Sequence, residues 1–309
     1  MKKKRICFPF TGDSIGGSHI STMLMIEELE KNGFELMLII HKEGVLSSYF
    51  DEKNIKYIIH PLYDFVGSSK SKVLNLIYLL ISIPVIIYLI RKYNISIVHS
   101  NDMRIHQTWV IPSFLTKKTF IWHQRTKFPN SRLSRFLVKF CSKVICISKY
   151  VKSSIPREVN KEIRIIANPI QKFKEKVNVE KFRSQISKNH SQKKIISFFA
   201  NLQKIKEPMM FAEVAKELYH NYSKDLFFVF FGSDKELFIP KIKEFSKING
   251  LSNNFFYMGF KSPIEPWIKS SDLILVTSSG DGFGRTILEA MSLKTSFIAT
   301  NIGGHKELV

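Results

Sequence analysis

Ten short apolar runs, at residues 5–10, 36–41, 55–59, 97–99, 120–122, 144–147, 195–199, 227–231, 255–258 and 273–276, alternate with stretches of helical period along this chain. Few architectures accommodate that alternation. Apolar runs bounded by helical segments are characteristic of parallel sheets built from βαβ units, whose strands are covered on both faces and need no polar side. The expectation is an α/β fold. Ligands of such sheets collect beyond the carboxyl ends of the strands, so the residues just after each run are the candidates for chemistry. With 309 residues the chain can bury two cores of ordinary size. A stretch rich in Lys, Asn, Gln and Ser between Pro169 and Lys194 separates the first group of runs from the second and predicts domains at 1–170 and 171–309.

Three cysteines, at 7, 141 and 146, form neither a disulfide framework nor a Cys-x-x-Cys pair, which points to a reducing compartment. The basic start, Lys2-Lys3-Lys4-Arg5, leads into an apolar run too short for a signal-peptide core, so that run reads as a first buried strand. Charge is uneven. Residues 1–200 hold 34 Lys and Arg against 14 Asp and Glu, whereas 201–309 hold 13 against 12. Within 101–150 there are ten basic side chains and one acid, Asp102. Such a field attracts anionic lipid, phosphorylated acceptors or nucleic acid. No nucleic-acid module is recognisable, so an anionic membrane surface is the expected partner and nucleic acid is not.

Residues 73–90 carry no charge. As a helix they would span about 27 Å, just under a bilayer core. Pro84 and the apolar run at 97–99 favour a crossover helix, while the near absence of a polar face favours one that dips into a membrane surface.

The chemistry-bearing stretch is Ser278-Ser279-Gly280-Asp281-Gly282-Phe283-Gly284-Arg285-Thr286-Ile287-Leu288-Glu289-Ala290-Met291. It follows an apolar run and turns through small residues into a helix predicted to begin near Gly284. The N–H groups at a helix start can hold an anion or a sugar oxygen. Asp281 precedes that helix and Glu289 lies about one and a half turns into it, so both carboxylates could face one cleft.

This stretch resembles the Glu-x7-Glu signature of retaining, nucleotide-sugar-dependent glycosyltransferases of family 4 (group 1), with Asp281 and Glu289 at the two carboxylate positions. Further matches follow in chain order: Gly16-Gly17-Ser18-His19, Phe120-Ile121-Trp122-His123, Val144-Ile145-Cys146-Ile147-Ser148, Ile165-Ile166-Ala167-Asn168-Pro169, Phe198-Phe199-Ala200-Asn201-Leu202 with Lys206, Phe230-Phe231-Gly232-Ser233-Asp234 and Met258-Gly259-Phe260. The resemblance implies the GT-B fold, two Rossmann-like domains facing a cleft, with 1–170 on the acceptor side and 171–309 binding the nucleotide-sugar donor. It implies that Lys206 neutralises the donor diphosphate with help from the N–H groups of Gly16 and Gly17. Glu289 would accept from ribose hydroxyls, Asp281 from sugar hydroxyls, and the amides of Phe283 and Gly284 would hold others. His123 would line the reacting centre. His19 and His305, the latter in Gly303-Gly304-His305, have weaker claims.

Three departures from the family pattern stand out. Asp281 is one methylene shorter than the usual Glu, and Asn201 replaces a phosphate-binding Arg whose charge it cannot supply. The chain also ends at Leu308-Val309, soon after the Gly-Gly loop, where family members continue through helices that complete the second domain. No Asp-x-Asp occurs, so no metal and no cofactor are expected. The implied activity is transfer of a sugar to a lipid-linked or polysaccharide acceptor at the inner, cytoplasmic face of a bacterial membrane. The alternatives are a catalytically idle sugar-nucleotide-binding remnant or scaffold, and a GT-B epimerase.

Overall fold

A computed structural model describes residues 4–170, 178–186 and 193–309. The chain divides into two compact units, Met1–Pro169 and Ile170–Val309. The polar stretch read between Pro169 and Lys194 lies partly outside the described residues.

In the first unit the elements run β1 (Arg5–Phe10), α1 (Gly17–Lys31), β2 (Glu35–Ile40), α2 (Val45–Glu52), β3 (Ile58–Ile59), α3 (Lys72–Lys92), β4 (Ile97–Ser100), α4 (Met103–Leu115), β5 (Thr119–Gln124), α5 (Arg132–Leu137), β6 (Lys143–Cys146), α6 (Lys149–Ser153) and β7 (Ile163–Ile165). The seven strands form one parallel sheet in the order β3-β2-β1-β4-β5-β6-β7. The order reverses direction beside β1, so β1 and β4 flank the switch point at which a doubly wound sheet leaves a crevice. The second unit runs α7 (Val179–Ile186), β8 (Lys194–Phe199), α8 (Pro208–Asn221), β9 (Leu226–Phe231), α9 (Phe238–Ile248), β10 (Phe255–Gly259), α10 (Glu265–Lys269), β11 (Leu273–Val276), α11 (Arg285–Ser292) and β12 (Phe297–Ala299). Its parallel sheet has the order β10-β9-β8-β11-β12, with the switch between β8 and β11.

Each of the ten apolar runs meets a strand, although of 55–59 only Ile58 and Ile59 belong to one. Two three-residue strands at sheet edges lie outside those runs: β12, which the sequence reading lacked, and β7, which the family match at Ile165-Ile166-Ala167-Asn168-Pro169 meets only at Ile165. An edge strand is half-exposed and needs no unbroken apolar run, so it leaves little pattern to read. The central strands of the second sheet are rich in phenylalanine because both of their faces are covered: Phe198, Phe228 and Phe230 pack under α8 with Phe211, and Phe199, Phe227 and Phe231 pack on the opposite face with Trp267. Aromatic rings on neighbouring strands fill such a face at little cost in side-chain freedom.

One sequence expectation, the placement of charge, needs correction. Counted at the Pro169/Ile170 division, the first unit carries 26 basic against 12 acidic residues and the second 21 against 14, and residues 171–200 supply eight of the second unit's basic residues. The excess charge is therefore shared, with the first unit holding twice as much. The apolar segment forms the crossover helix α3, continuous through Pro84. Its amino-terminal half is inverted relative to an ordinary outer helix, since Asn75 and Ser82 are buried while Val73, Leu76, Leu80 and Ile81 are exposed. Asn75 faces inward because its side chain donates to the carbonyls of Ser69 and Ser71 and accepts from Gly67 N–H, fixing the loop before the helix.

Candidate active site

In the second unit, the loops that follow β8 and β11 are stitched together. Thr277 Oγ1 donates to the carbonyls of Lys206 and Glu207, 3.0 Å from each, and Ser279 N–H donates to Ile205 O at 2.9 Å. Because β8 and β11 are neighbours, this brings Lys206 beside Asp281, with Nζ 2.5 Å from Oδ2. The other oxygen, Oδ1, accepts from the N–H groups of Phe283 and Gly284 at 3.3 Å each. Burial alone would raise the Asp281 carboxyl, but His305, Lys206 and the Phe283 N–H overcome it and hold the group well below the usual carboxylate range. His305 Nε2 stands 3.8 Å from Oδ2, beyond hydrogen-bond reach, so Lys206 is the close partner.

The amides assigned to a ligand are thus taken up by Asp281 itself. The carboxylate occupies the anion position at the head of α11, and a ligand there would share or displace it. Gly284 is glycine for a reason internal to the protein. Its φ is +92°, and a Cβ would come within 2.8 Å of His305 Cδ2.

Glu289 is buried in α11, with Arg285 Nε 2.7 Å from Oε1. Burial pushes this carboxyl up, Arg285 pulls it back only in part, and it stays above the ordinary value. The two carboxylates of the motif therefore have separate cations. Asn201 Oδ1 accepts from Ser233 N–H at 3.1 Å and ties the end of β8 to that of β9.

The first unit gathers its polar groups at the carboxyl ends of β1, β4 and β5. His99 Nε2 lies 3.1 Å from His123 Nδ1, and Arg125 Nη2 lies 3.5 Å from the same atom. Arg125 also donates to Asn101, Asn168 and Thr22. Burial, the Arg125 charge and the neighbouring histidines hold His123 well below its ordinary value; burial and Arg125 bring His99 to about 3. Asp13 and Arg104 form a two-pronged pair in the same region, and Arg104 holds Asp13 at about 2 against its burial. Gly16 and Gly17 stand at the start of α1. Gly16 has an extended φ of −168°, and a Cβ on it would meet open space, so nothing in the protein demands glycine there and the room is available to a ligand. His19 is buried in the first turn of α1, and its Nδ1 has no hydrogen-bond partner among the described residues.

Residues 15–172 match the family described as Glycosyltransferase Family 4, and residues 193–309 match that described as Glycosyl transferases group 1. The chain belongs to glycosyltransferase family 4. As a glycosyltransferase it is similar to the Escherichia coli UDP-Gal:alpha-D-GlcNAc-diphosphoundecaprenol alpha-1,3-galactosyltransferase, at 25% identity over 308 residues, covering 92% of this chain and 76% of the relative. Among solved structures, Anabaena HepE in complex with UDP and glucose superposes with a TM-score of 0.79 at 16% identity, covering 98% of this chain and 82% of HepE. A glycosyltransferase from Rickettsia africae superposes with a TM-score of 0.79 at 22% identity, covering 100% and 82%. At these identities the likeness shows the fold alone, the GT-B arrangement of two Rossmann-like domains.

Within this glycosyltransferase the structure brings Lys206, Asp281, Phe283 and Gly284 into one cluster. Glu289 is paired with Arg285, and Asn201 faces Ser233. Gly16, Gly17 and His123 belong to the first unit. Sequence reasoning passed over Arg125, His99 and Arg285. Two of the three had a signal: Arg125 lies two residues past His123, hence on the same side of an extended strand end, and Arg285 lies four residues before Glu289 on one helix face. His99 gave no sequence signal, since only the pairing of β4 with β5 brings it to His123. Among the described residues no three His, Cys, Asp or Glu side chains are grouped to hold a metal.

Proposed function

We propose that this glycosyltransferase moves a sugar from a nucleotide-sugar donor, bound by the second unit, to a glycan or lipid-linked acceptor served by the first, with retention of anomeric configuration. The observation that carries this reading is the Lys206–Asp281 pair at the head of α11. A nucleotide diphosphate leaving the donor needs a fixed positive charge, and Lys206 supplies it by exchanging a carboxylate for a phosphate oxygen. Asp281, once released, accepts from the donor sugar's hydroxyls, and the amides of Phe283 and Gly284 become available to the ligand. Glu289 accepts from the ribose. The name of the E. coli relative, with its UDP-sugar and its diphosphoundecaprenol-linked substrate, supports a lipid-linked acceptor in cell-envelope polysaccharide synthesis. The reading invokes no metal and no cofactor.

The same pair supports a second reading, sugar-nucleotide binding without transfer, in which Lys206 and Asp281 only hold two loops together. A thermal-shift screen of UDP-, GDP- and ADP-sugars separates the outcomes. A ligand that binds only the native state at a hundred times its Kd stabilises it by about 2.7 kcal/mol. We expect one nucleotide class to raise Tm in the wild type and not in Lys206→Ala; no shift with any of them would reject the donor site. A shift without turnover of that donor on a lipid-linked acceptor would select the second reading.

The first unit would meet the anionic inner face of a membrane through α3. By length and composition α3 is able to cross a bilayer, but as a crossover helix its exposed amino-terminal half suits insertion at the surface. Lys70 and Lys72 flank that half. The field from residues 101–150 is weaker than the count of ten suggests, because Arg125 is buried, Arg104 pairs with Asp13 and Lys143 with Glu162. Sedimentation with anionic vesicles, much reduced with neutral ones, is expected. Each exposed Lys or Arg at the surface contributes about 1 kcal/mol that salt removes. Leu76→Ser with Leu80→Ser should weaken the part that salt leaves behind. Equal binding to both vesicle types would reject the electrostatic contribution.

A further inference from the structure

We infer that His99 and Arg125 together hold His123 in its Nε2–H tautomer, so that the first unit offers a buried hydrogen-bond donor to a ligand oxygen, not a general base. His99 stands on β4 opposite Ile121 of the neighbouring β5, and His123 follows two residues further along that strand on the same face. Their rings approach with centroids 5.3 Å apart and a single close contact, His99 Nε2 to His123 Nδ1 at 3.1 Å. Both rings are buried, 6% and 4% exposed.

Two neutral imidazoles in such a contact share one proton. Either His99 donates and His123 accepts, or the reverse. Arg125 decides between them. Its Nη2 faces the same His123 Nδ1 at 3.5 Å, and a guanidinium has donors only. Two donors directed at one ring nitrogen require a lone pair there, so Nδ1 is the acceptor and the proton of the neutral ring resides on Nε2. Burial, the nearby Arg125 charge and the histidines around it keep His123 neutral. His106 fixes the strand beneath: its ring bonds the His123 backbone carbonyl, and its Nδ1 lies 2.6 Å from Ser100 Oγ.

The nitrogen that carries the proton is the one that lacks a partner. His123 Nε2 is buried and has no hydrogen-bond partner among the described residues. A buried unsatisfied N–H is unusual in a folded protein and calls for a reason. A sugar hydroxyl or a phosphate oxygen would complete it; a proton to be abstracted would not, since the lone pair is already committed to Nδ1. His99 is thus a positioning residue, acting on the ligand only through His123. The ligand class rests on the proposed function; the tautomer assignment does not.

The test is a long-range 1H–15N correlation spectrum of the full chain with ring-labelled histidine, assigned through His123→Gln. The wild type is expected to show His123 protonated at Nε2 and bare at Nδ1 near neutral pH. His99→Gln, whose amide nitrogen stands where the histidine Nε2 stood, should preserve that pattern. His99→Leu, which keeps Arg125 at Nδ1, should preserve it in part, and His99→Leu with Arg125→Met should lose it, giving a mixture or the Nδ1–H form. An Nδ1–H ring or an imidazolium in the wild type overturns the tautomer assignment, whether or not these variants fold. An unchanged Nε2–H ring in the double variant overturns the part given to His99 and Arg125. Failure of every nucleotide-sugar to shift Tm would reject the donor site while leaving these spectra as they are, so the two failures are distinguishable.

Discussion

At the carboxyl end of the first sheet, His99, His106 and His123 are packed together around Arg125, all buried and all held below the ordinary imidazole range. At the carboxyl end of the second sheet, the polar groups stand as ion pairs, Lys206 with Asp281 and, within α11, Arg285 with Glu289. One region hides titratable groups by keeping them neutral; the other keeps them charged and matched. The first region still buries one charge, Arg125, whose donors go to Asn101, Asn168 and Thr22, whereas the second matches Lys206 and Arg285 each with a carboxylate. The two regions therefore have different chemistry, since neutral rings offer directed donors and acceptors whereas paired ions can exchange partners with a charged ligand.

The contrast should be most visible on acidification. A histidine whose folded pKa is depressed binds its proton more readily in the unfolded chain, so its contribution to stability is present above about pH 6.5 and is lost as pH falls toward the folded value. Each such group costs about 1.4 kcal/mol per pH unit in that window. His19, His41, His99, His106 and His123 all belong to the first unit and are all depressed, His41 to about 4 and His99 to about 3. Hydrogen exchange at pH 7 and pH 5 should therefore show the first unit losing several kcal/mol of protection, with the second unit little changed. Equal losses in both would break the comparison.

Lys206→Ala is next in size. It leaves Asp281 with its two long amide bonds and no close cation; with side chains about a fifth to a quarter exposed, the loss should sit at the low end for breaking a buried pair, about 3 kcal/mol by denaturant midpoint. The double variant Lys206→Ala with Asp281→Ala should recover part of the loss, and a Lys206→Ala protein as stable as the wild type would show that the pair contributes nothing.

Within the second unit the two carboxylates should respond to pH with opposite sign. Asp281 is depressed, so its contribution is present above about pH 3.9 and fades as pH falls through its folded value. Glu289 is raised, so it destabilises as pH rises from about 4.3 through its folded value. Measured against the wild type, Asp281→Asn should be most costly at neutral pH and converge with it in acid. Glu289→Gln should improve relative to the wild type as pH rises through that window. Parallel curves would mean that the two environments are alike.

The smallest effect separates the glycines. Gly16→Ala sits in extended backbone facing open space and should cost about 1 kcal/mol or less, mainly through poorer helix capping. Gly284→Ala is strained by its positive φ and by His305, and should cost more than Gly16→Ala in the same thermal melt. If Gly16→Ala nonetheless abolishes a nucleotide-sugar shift in Tm, the space at α1 belongs to the ligand.

Much of this was legible in the sequence. Strand and helix order follows from apolar runs and periodicity, because a strand covered on both faces has no choice but to be apolar. The loop at 278–291 announced itself through glycine spacing and two carboxylates, both local features. Only the tertiary structure decided which partner each polar group has. Nothing near Asp281 in sequence indicates Lys206, 75 residues away; their meeting requires β8 and β11 to be neighbours. His99 and His123 meet for the same reason, through β4 and β5. The direction in which α3 turns its apolar side was likewise undetermined, since a helix with almost no polar face carries no periodic signal, and a few hydrogen bonds from Asn75 set its orientation. Secondary structure is dictated by residues close in the chain, which the sequence displays directly; pairings, and with them charge states, depend on strand order, which brings together residues that are distant in the chain.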